Sequence, residues 1–143
     1  MMTGETDLDK LLTEMHPILG ETPYVFCTVK PEDADRLTFA PLAVFRESEG
    51  VTLIATERQA RDSHLPFDAT WACITLTVHS SLTAVGFLAA VLARLARAGV
   101  SVNPVSAYYH DHLFVPWESR RHAMDALEDL SHTHGVKPPR RNI

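Results

Sequence analysis

Apolar residues near the start of the chain fall at Leu8, Leu11, Leu12 and Met15, a helical spacing that predicts a helix from about Asp7 to His16. A capping-box-like pair, Thr6 and Asp9, opens it, and Pro17 ends it. The period then changes. Tyr24 to Lys30 is a β-branched and aromatic run of strand length, followed by the turn-rich PEDADR. Leu42 to Arg46 and Val51 to Thr56 flank Glu47-Ser48-Glu49-Gly50, a hairpin in which Gly50 is expected to supply a positive φ. Trp71 to His79 alternates strictly, with Ala72, Ile74, Leu76 and Val78 on one face and Cys73, Thr75 and Thr77 on the other. A helix is expected over about Thr83 to Ala98, where Val85, Leu88, Leu92 and Leu95 share one side and Phe87 and Val91 add a second apolar side. Gly99 caps it, and Val100 begins a strand whose phase shifts at Asn103-Pro104, which predicts a bulge or an edge position because proline cannot donate to a ladder. Tyr109 to His112 supply a turn, with Asp111 upon it, and Leu113 to Trp117 return. The last helix, about Ser119 to Thr133, turns Ala123, Leu127 and Leu130 inward before Gly135 stops it.

The order of these elements defines an α+β protein in which antiparallel sheets are covered by helices. SHLPFD, Ser63 to Asp68, breaks periodicity and divides the chain into a strand-rich half, 7–66, and a second half, 69–135, with 136–143 as a tail. The second half reads β-α-β-β-α. The closing strand of a ferredoxin-like βαββαβ unit has no candidate after Gly135, so the first half is expected to complete the sheet.

With 143 residues, 45% of them hydrophobic, the chain is long enough to bury a core. A net charge of −5 with mixed signs leaves no basic stripe, which argues against nucleic acid and anionic membrane as partners; the basic cluster Lys137, Arg140 and Arg141 lies in the tail. The apolar run from Ala84 to Ala93 is too short to span a bilayer, and the acidic start does not resemble a secretion signal, so a cytoplasmic location is expected. Cys27 and Cys73 sit in apolar runs without CxxC spacing and read as small buried hydrophobes.

Candidate chemistry concentrates between Leu82 and Val115. A glycine near a helix start, Gly86, permits close approach of a backbone or of a ligand carboxylate, which unpaired helix N–H groups favour. Asp111 offers a partner to an ammonium, so the two ends together suit a zwitterion; the blander reading is that Gly86 allows packing and Asp111 shapes a turn. His79, Ser80 and Ser81 precede the helix as caps or ligand contacts. His110, Asp111 and His112 form a compact cluster without diagnostic metal spacing, so no metal site and no cofactor is assigned. No Ser-His-Asp signature, G-x-G-x-x-G or P-loop occurs, and neither cysteine sits in a setting that activates a thiol; no enzymatic role is assigned.

Two segments carry a resemblance to a known family. LTAVGFLAAVLARLARAGVSV, with Gly86 at the family's glycine near the helix start, and SAYYHDHLFV, similar to an "STY-TDY-LV" hairpin of one subgroup, resemble the ACT domain, a βαββαβ regulatory module that binds amino acids and related ligands. SEGVTLIATERQA is similar to the hairpin of the short ACT-like half that precedes the C-terminal ACT domain in that subgroup. The resemblance spans roughly Leu8 to Leu130. Ser106, Tyr108 and Asp111 keep their places, whereas Ala107 replaces a hydroxyl residue, Tyr109-His110 an acidic-threonine pair and His112 a tyrosine. It implies two ferredoxin-like ACT-like subdomains, a ligand site at Ser81, Leu82, Val85, Gly86, Ser106, Tyr108 and Asp111, an amino acid or similar metabolite as partner, and a homo-oligomer, simplest as a dimer. The competing expectation is a ligand-free interaction module anchored by Trp71, Phe87 and Trp117. An open groove between Gly86 and Asp111 would favour the sensor, and a groove filled by Phe87 and Tyr108 the module.

Overall fold

The computed structural model describes residues 3–135; the tail expected at 136–143, with its basic cluster, lies outside the described residues. In chain order the elements are α1 (Leu8–Thr13), β1 (Pro17–Leu19), β2 (Tyr24–Val29), α2 (Pro31–Ala34), β3 (Ala43–Arg46), β4 (Val51–Thr56), α3 (Glu57–Asp62), β5 (Trp71–Leu76), α4 (Phe87–Arg97), β6 (Asn103–Ser106), β7 (Asp111–Pro116) and α5 (Arg120–Gly135), the last entered through a short 3₁₀ turn, Trp117–Ser119. Among the described residues the strands join in one antiparallel sheet of order β3-β4-β2-β5-β7-β6, with β1 also beside β5.

The closing strand missing after Gly135 is β1. Pro17, Ile18 and Leu19 pair with Leu76, Thr75 and Ile74, while Tyr24 of β2 pairs with Trp71 at the other end of β5. One strand thus holds both halves, and the first half completes the sheet of the second, as the sequence led us to expect. The pleat sorts side chains cleanly. Val25, Cys27, Leu53, Ala55, Ala72, Ile74, Leu113 and Val115 all point to one face and are buried there. Leu11, Leu12, Met15, Phe87, Val91, Leu95 and Leu127 cover the β5 and β7 part of that face, and Ala60 the β2 and β4 part. Burying each larger aliphatic side chain contributes about 1.5–3 kcal/mol. On the opposite face Phe114 packs edge-on against Tyr24 and Phe26, at centroid distances of 5.9 and 5.5 Å.

Several sequence expectations are corrected. The N-cap of α1 is Asp7, whose carboxylate accepts from the Lys10 amide; the Thr6 and Asp9 pair does not form because the amides of Thr6 and Asp7 bond to the Glu5 side chain. Short α2 and α3 went unpredicted, although α3 carries a full capping box between Thr56 and Gln59. Gly50 does not need a positive φ; a Cβ there would meet Thr28 Oγ1 at 2.9 Å and Val29 O at 3.2 Å, so glycine serves close strand approach. α4 begins at Phe87, not Thr83, because Gly86 has φ of 88° and Ser81 folds the preceding residues into a turn by accepting from the Thr83 amide. Val100 and Val102 precede β6 rather than belonging to it: Gly99 and Val100 donate to Ala96 and Leu95, a Schellman closure of α4. Pro104 lies on β6, an edge strand, which is the edge alternative. Finally, the turn is Ala107 to His110, closed by the Ala107 amide on the His110 carbonyl, and Asp111 is the first residue of β7.

Candidate functional site

That two-residue shift of the turn relocates the carboxylate. As a turn residue Asp111 would be wet; as the first residue of β7 it sits opposite Leu76 and Ser106, in the row that faces the helices, and is 6% exposed. Its Oδ1 accepts from Ser106 Oγ at 2.6 Å and its Oδ2 from Ser80 Oγ at 3.1 Å. Among the described residues no cationic side chain forms an ion pair with it. A buried carboxylate held by two neutral hydroxyls retains most of its charge uncompensated.

Across from it lies the start of α4. Gly86 is the N-cap residue and lends no side chain, so the amides of the first turn have no side-chain cap. Between the two is a cleft of about 150 Å³ lined by Ser80, Ser81, Leu82, Ala84, Phe87, Leu88, Ser106, Ala107 and Asp111. Its chemistry is two-ended: hydrogen-bond donors with the positive end of a helix dipole on one side, a fixed carboxylate on the other.

The loop carrying Ser80 and Ser81 is itself held from the N-terminus. Glu5 forms a parallel bridge with Ser80, donating its amide to His79 O at 2.8 Å and accepting from the Ser81 amide at 2.9 Å. The Glu5 carboxyl is drawn down to about 2 by hydrogen bonds from the Asp7 amide, Lys10 and the Thr6 amide, so it stays ionised at the start of α1 while the Glu5 backbone holds the loop. Gly4 makes the contact possible. With φ of 107° it lies so close that a Cβ would stand 2.7 Å from the Ser81 amide nitrogen.

Of the seven residues predicted from sequence, Ser81, Leu82, Ser106 and Asp111 line the cleft. Ser81 spends its hydroxyl on Thr83. Gly86 stands behind the lining as the N-cap. Val85 is 85% exposed and points away, and Tyr108, 53% exposed, stacks with Tyr109 and His79 outside the cleft. Ser80, expected from sequence as a helix cap or a ligand contact, instead bonds to Asp111; its contact across 31 residues has no signature in local sequence. Among the described residues, His79 Nε2 is buried without a hydrogen-bond partner. Phe87, a core residue at 2% exposed, also contributes to the cleft lining, and Tyr108 does not line it.

Both cysteines are free, and burial raises both thiol pKa values. Among the described residues no cluster of His, Cys, Asp and Glu is arranged to hold a metal ion, and no helix is long and apolar enough to cross a membrane.

An antiparallel sheet with helices on one face, built from two βαββαβ-like units that lend each other strands, is the architecture of tandem ferredoxin-like regulatory modules. Family models for the ACT domain match residues 3–72 and 68–129. The chain belongs to the ACT-domain family. It is 44% identical to a protein of unknown function from Vibrio cholerae, described as a possible transport protein, covering 87% of this chain and 95% of that one with a TM-score of 0.79. The ligand-free regulatory subunit of aspartate kinase from Thermus thermophilus superposes with a TM-score of 0.62 at 9% identity, over 80% of this chain and 95% of that one. Escherichia coli aspartokinase III, in complex with aspartate and ADP, does so with a TM-score of 0.59 at 10% identity, over 80% of this chain and 32% of that one. These two share the fold. No curated protein sequence matches the chain.

Proposed function

We propose that this protein is a cytoplasmic, non-catalytic sensor that binds an amino acid or a similar small zwitterion in the cleft between α4 and the β6–β7 hairpin. The observation that carries the reading is Asp111: a carboxylate buried at 6% exposure, fixed by Ser80 and Ser106, facing an uncapped helix start. Burying a charge without a counter-charge costs several kcal/mol on the order expected for an ion leaving water, and a ligand ammonium removes that cost. The α-carboxylate takes the amides of Phe87 and Leu88. Ligand then favours one packing of the halves 7–66 and 69–135, and another chain or a change of assembly reads the result. Membership of a regulatory family supports this class of function.

A thermal-shift screen against the twenty amino acids tests it, since a ligand that binds only the native state raises the midpoint. A selective rise that disappears in Asp111→Ala is the expected result. Twenty flat responses from a folded sample would remove the sensor reading.

Self-association through β3 is part of the same proposal; the competing interaction module, anchored by Trp71, Phe87 and Trp117, would use a different surface, and Phe87 is buried at 2% exposure. β3 is an edge strand whose neighbourhood exposes Leu42, Val44 and Phe45, at 55%, 49% and 71%. Unpaired backbone groups beside exposed apolar side chains are a pairing template. Light scattering should give a dimer that Val44→Lys with Phe45→Lys reduces to a monomer; a monomeric wild type would refute it.

A further inference from the structure

The face of the sheet turned away from the helices holds a second cavity. Leu42 and Ala43 at one end of the strand order and Val105 and Ala107 at the other line a single groove of about 320 Å³. In a flat sheet, five strand spacings would separate those edges by roughly 24 Å. The sheet is therefore curled around its helix-free face, and every lining residue lies on a strand or directly beside one. The curl explains why Phe114 and Ile54, which point away from all the helices, are only 1% and 5% exposed.

The walls are mainly apolar, with four polar groups, Tyr24, Cys73, Thr75 and His112; no Asp, Glu, Lys or Arg lines it. Thr75 Oγ1 and His112 Nδ1 are 3.0 Å apart, which leaves the other ring nitrogen of His112 without a protein partner among the described contacts. Burial and the neighbouring His110 hold the His112 pKa below its ordinary value, and burial raises those of Tyr24 and Cys73, so all these groups are uncharged at neutral pH. Such a groove opposes an amino-acid zwitterion, whose two charges would find no counter-charge. An apolar cavity of this size with a few convergent polar groups has the make-up of a small-molecule site. Phe114 and Tyr24, already packed edge to face, give its floor an aromatic character that suits a further ring.

We propose that this groove is a second ligand site, for a neutral planar aromatic or heteroaromatic molecule whose N–H or O–H group bonds to the His112 and Thr75 pair. It is separate from the Asp111 cleft and does not depend on it. Yet the two lie back to back: His112 and Asp111 are consecutive on β7 and face opposite sides, and Ala107 lines both cavities. A ligand in the groove presses on the same hairpin that bounds the cleft.

Amide chemical-shift mapping of the full chain with indole, phenol and adenine, each titrated to millimolar concentration, tests the proposal. At least one probe should saturate, with perturbations centred on Cys73, Thr75, His112 and Phe114, and the same titration should survive in Asp111→Asn. Val105→Trp, which fills the groove from its edge strand, should weaken that probe at least tenfold. Thr75→Val, which removes the hydroxyl at nearly constant volume, provides a second variant and should weaken it severalfold. No saturable perturbation by any probe, or perturbations confined to Ser80 to Leu88, would overturn the proposal. So would shifts of the groove residues that follow protein concentration without a probe, because a second copy would then be the occupant.

Discussion

Asp111→Asn separates a carboxylate kept for a ligand from one kept for the fold. The amide preserves size and one acceptor oxygen while removing the charge. Hydrogen bonds to a charged acceptor contribute about 1.5–3 kcal/mol and neutral ones about 0.5–1.5, so the Ser106 and Ser80 bonds, at 2.6 and 3.1 Å, weaken together by on the order of 1–3 kcal/mol. Against this stands the desolvation of a carboxylate that is only 6% exposed, a cost of several kcal/mol for an ion without a counter-charge. The two effects offset, and the ligand-free variant should unfold in urea within about 1 kcal/mol of the wild type, or above it. Binding has no such offset. Loss of one partner of a buried charge pair costs about 2 kcal/mol or more, about thirtyfold in affinity, measured by calorimetric titration with the amino acid that shifts the wild type. A variant destabilised by more than about 2 kcal/mol that binds that ligand at wild-type affinity would make Asp111 a structural pin and refute the reasoning.

Other perturbations probe the supports of the cleft. Gly86→Ala meets nothing nearer than Leu8 Cδ2 at 3.7 Å, so its cost is left-handed backbone strain alone, about 1–2 kcal/mol in urea unfolding; a neutral substitution would contradict the φ of 88°. Gly4→Ala is different in kind, since its Cβ would meet backbone atoms of Ser80 and Ser81 at 2.8 and 2.7 Å, and neither can yield cheaply. Hydrogen exchange at the Ser81 amide should speed up and ligand affinity fall; unchanged protection would show that the N-terminal segment does not brace the loop. For His112, burial depresses the folded-state pKa below 6.5, so the neutral ring stabilises the fold fully above that pH, and the contribution is lost as pH falls through the folded value. Stability followed from pH 8 towards 5 should decline less steeply in His112→Gln. Equal slopes would remove the assignment.

Periodicity carried most of the fold. The alternation of Ala72, Ile74 and Leu76 against Cys73 and Thr75 set both faces of β5, and the break at Asn103-Pro104 located an edge. Short elements were lost because three to six residues contain less than two periods of their own pattern: Pro17–Leu19 is a strand through its partner Leu76–Ile74, not through its own composition. The start of α4 failed for a different reason. Leu82 and Val85 fit the apolar pattern, yet Gly86 takes a positive φ and Ser81 captures the Thr83 amide, so a local hydrogen bond overrode the pattern and left Val85 in solvent. In the cleft, Asp111 was legible by its chemical type and Ser106 through the family resemblance, but the burial of Asp111 was not. It depends on register, and moving the turn by two positions converts a wet carboxylate into a buried one.

The loaned strand has a consequence for how a signal would leave the cleft. β1 closes the C-terminal unit, and α1 with the residues that follow it packs Leu11, Leu12 and Met15 into the core shared with Phe87 and Leu95, while Ser131 of α5 donates to Thr13 O. The segment just before α1 is the one bonded to Ser80 and Ser81, through Glu5. A ligand that draws Ser80 and the α4 start together therefore pulls on a segment continuous with α1 and β1, which leads on through residues 20–23 into β2 of the other half. Strand β5 provides a parallel route, since Leu76 lies opposite Asp111 at one end and Trp71 opposite Tyr24 at the other. Both routes converge on β2, and β2 to β4 to β3 ends at the exposed edge that carries Val44 and Phe45. A change of assembly at that edge is thus the response that the connectivity joins most directly to the cleft. A ligand that shifts the midpoint should also shift the dimer constant, and by reciprocity the dimer should bind it with a different affinity from the monomer.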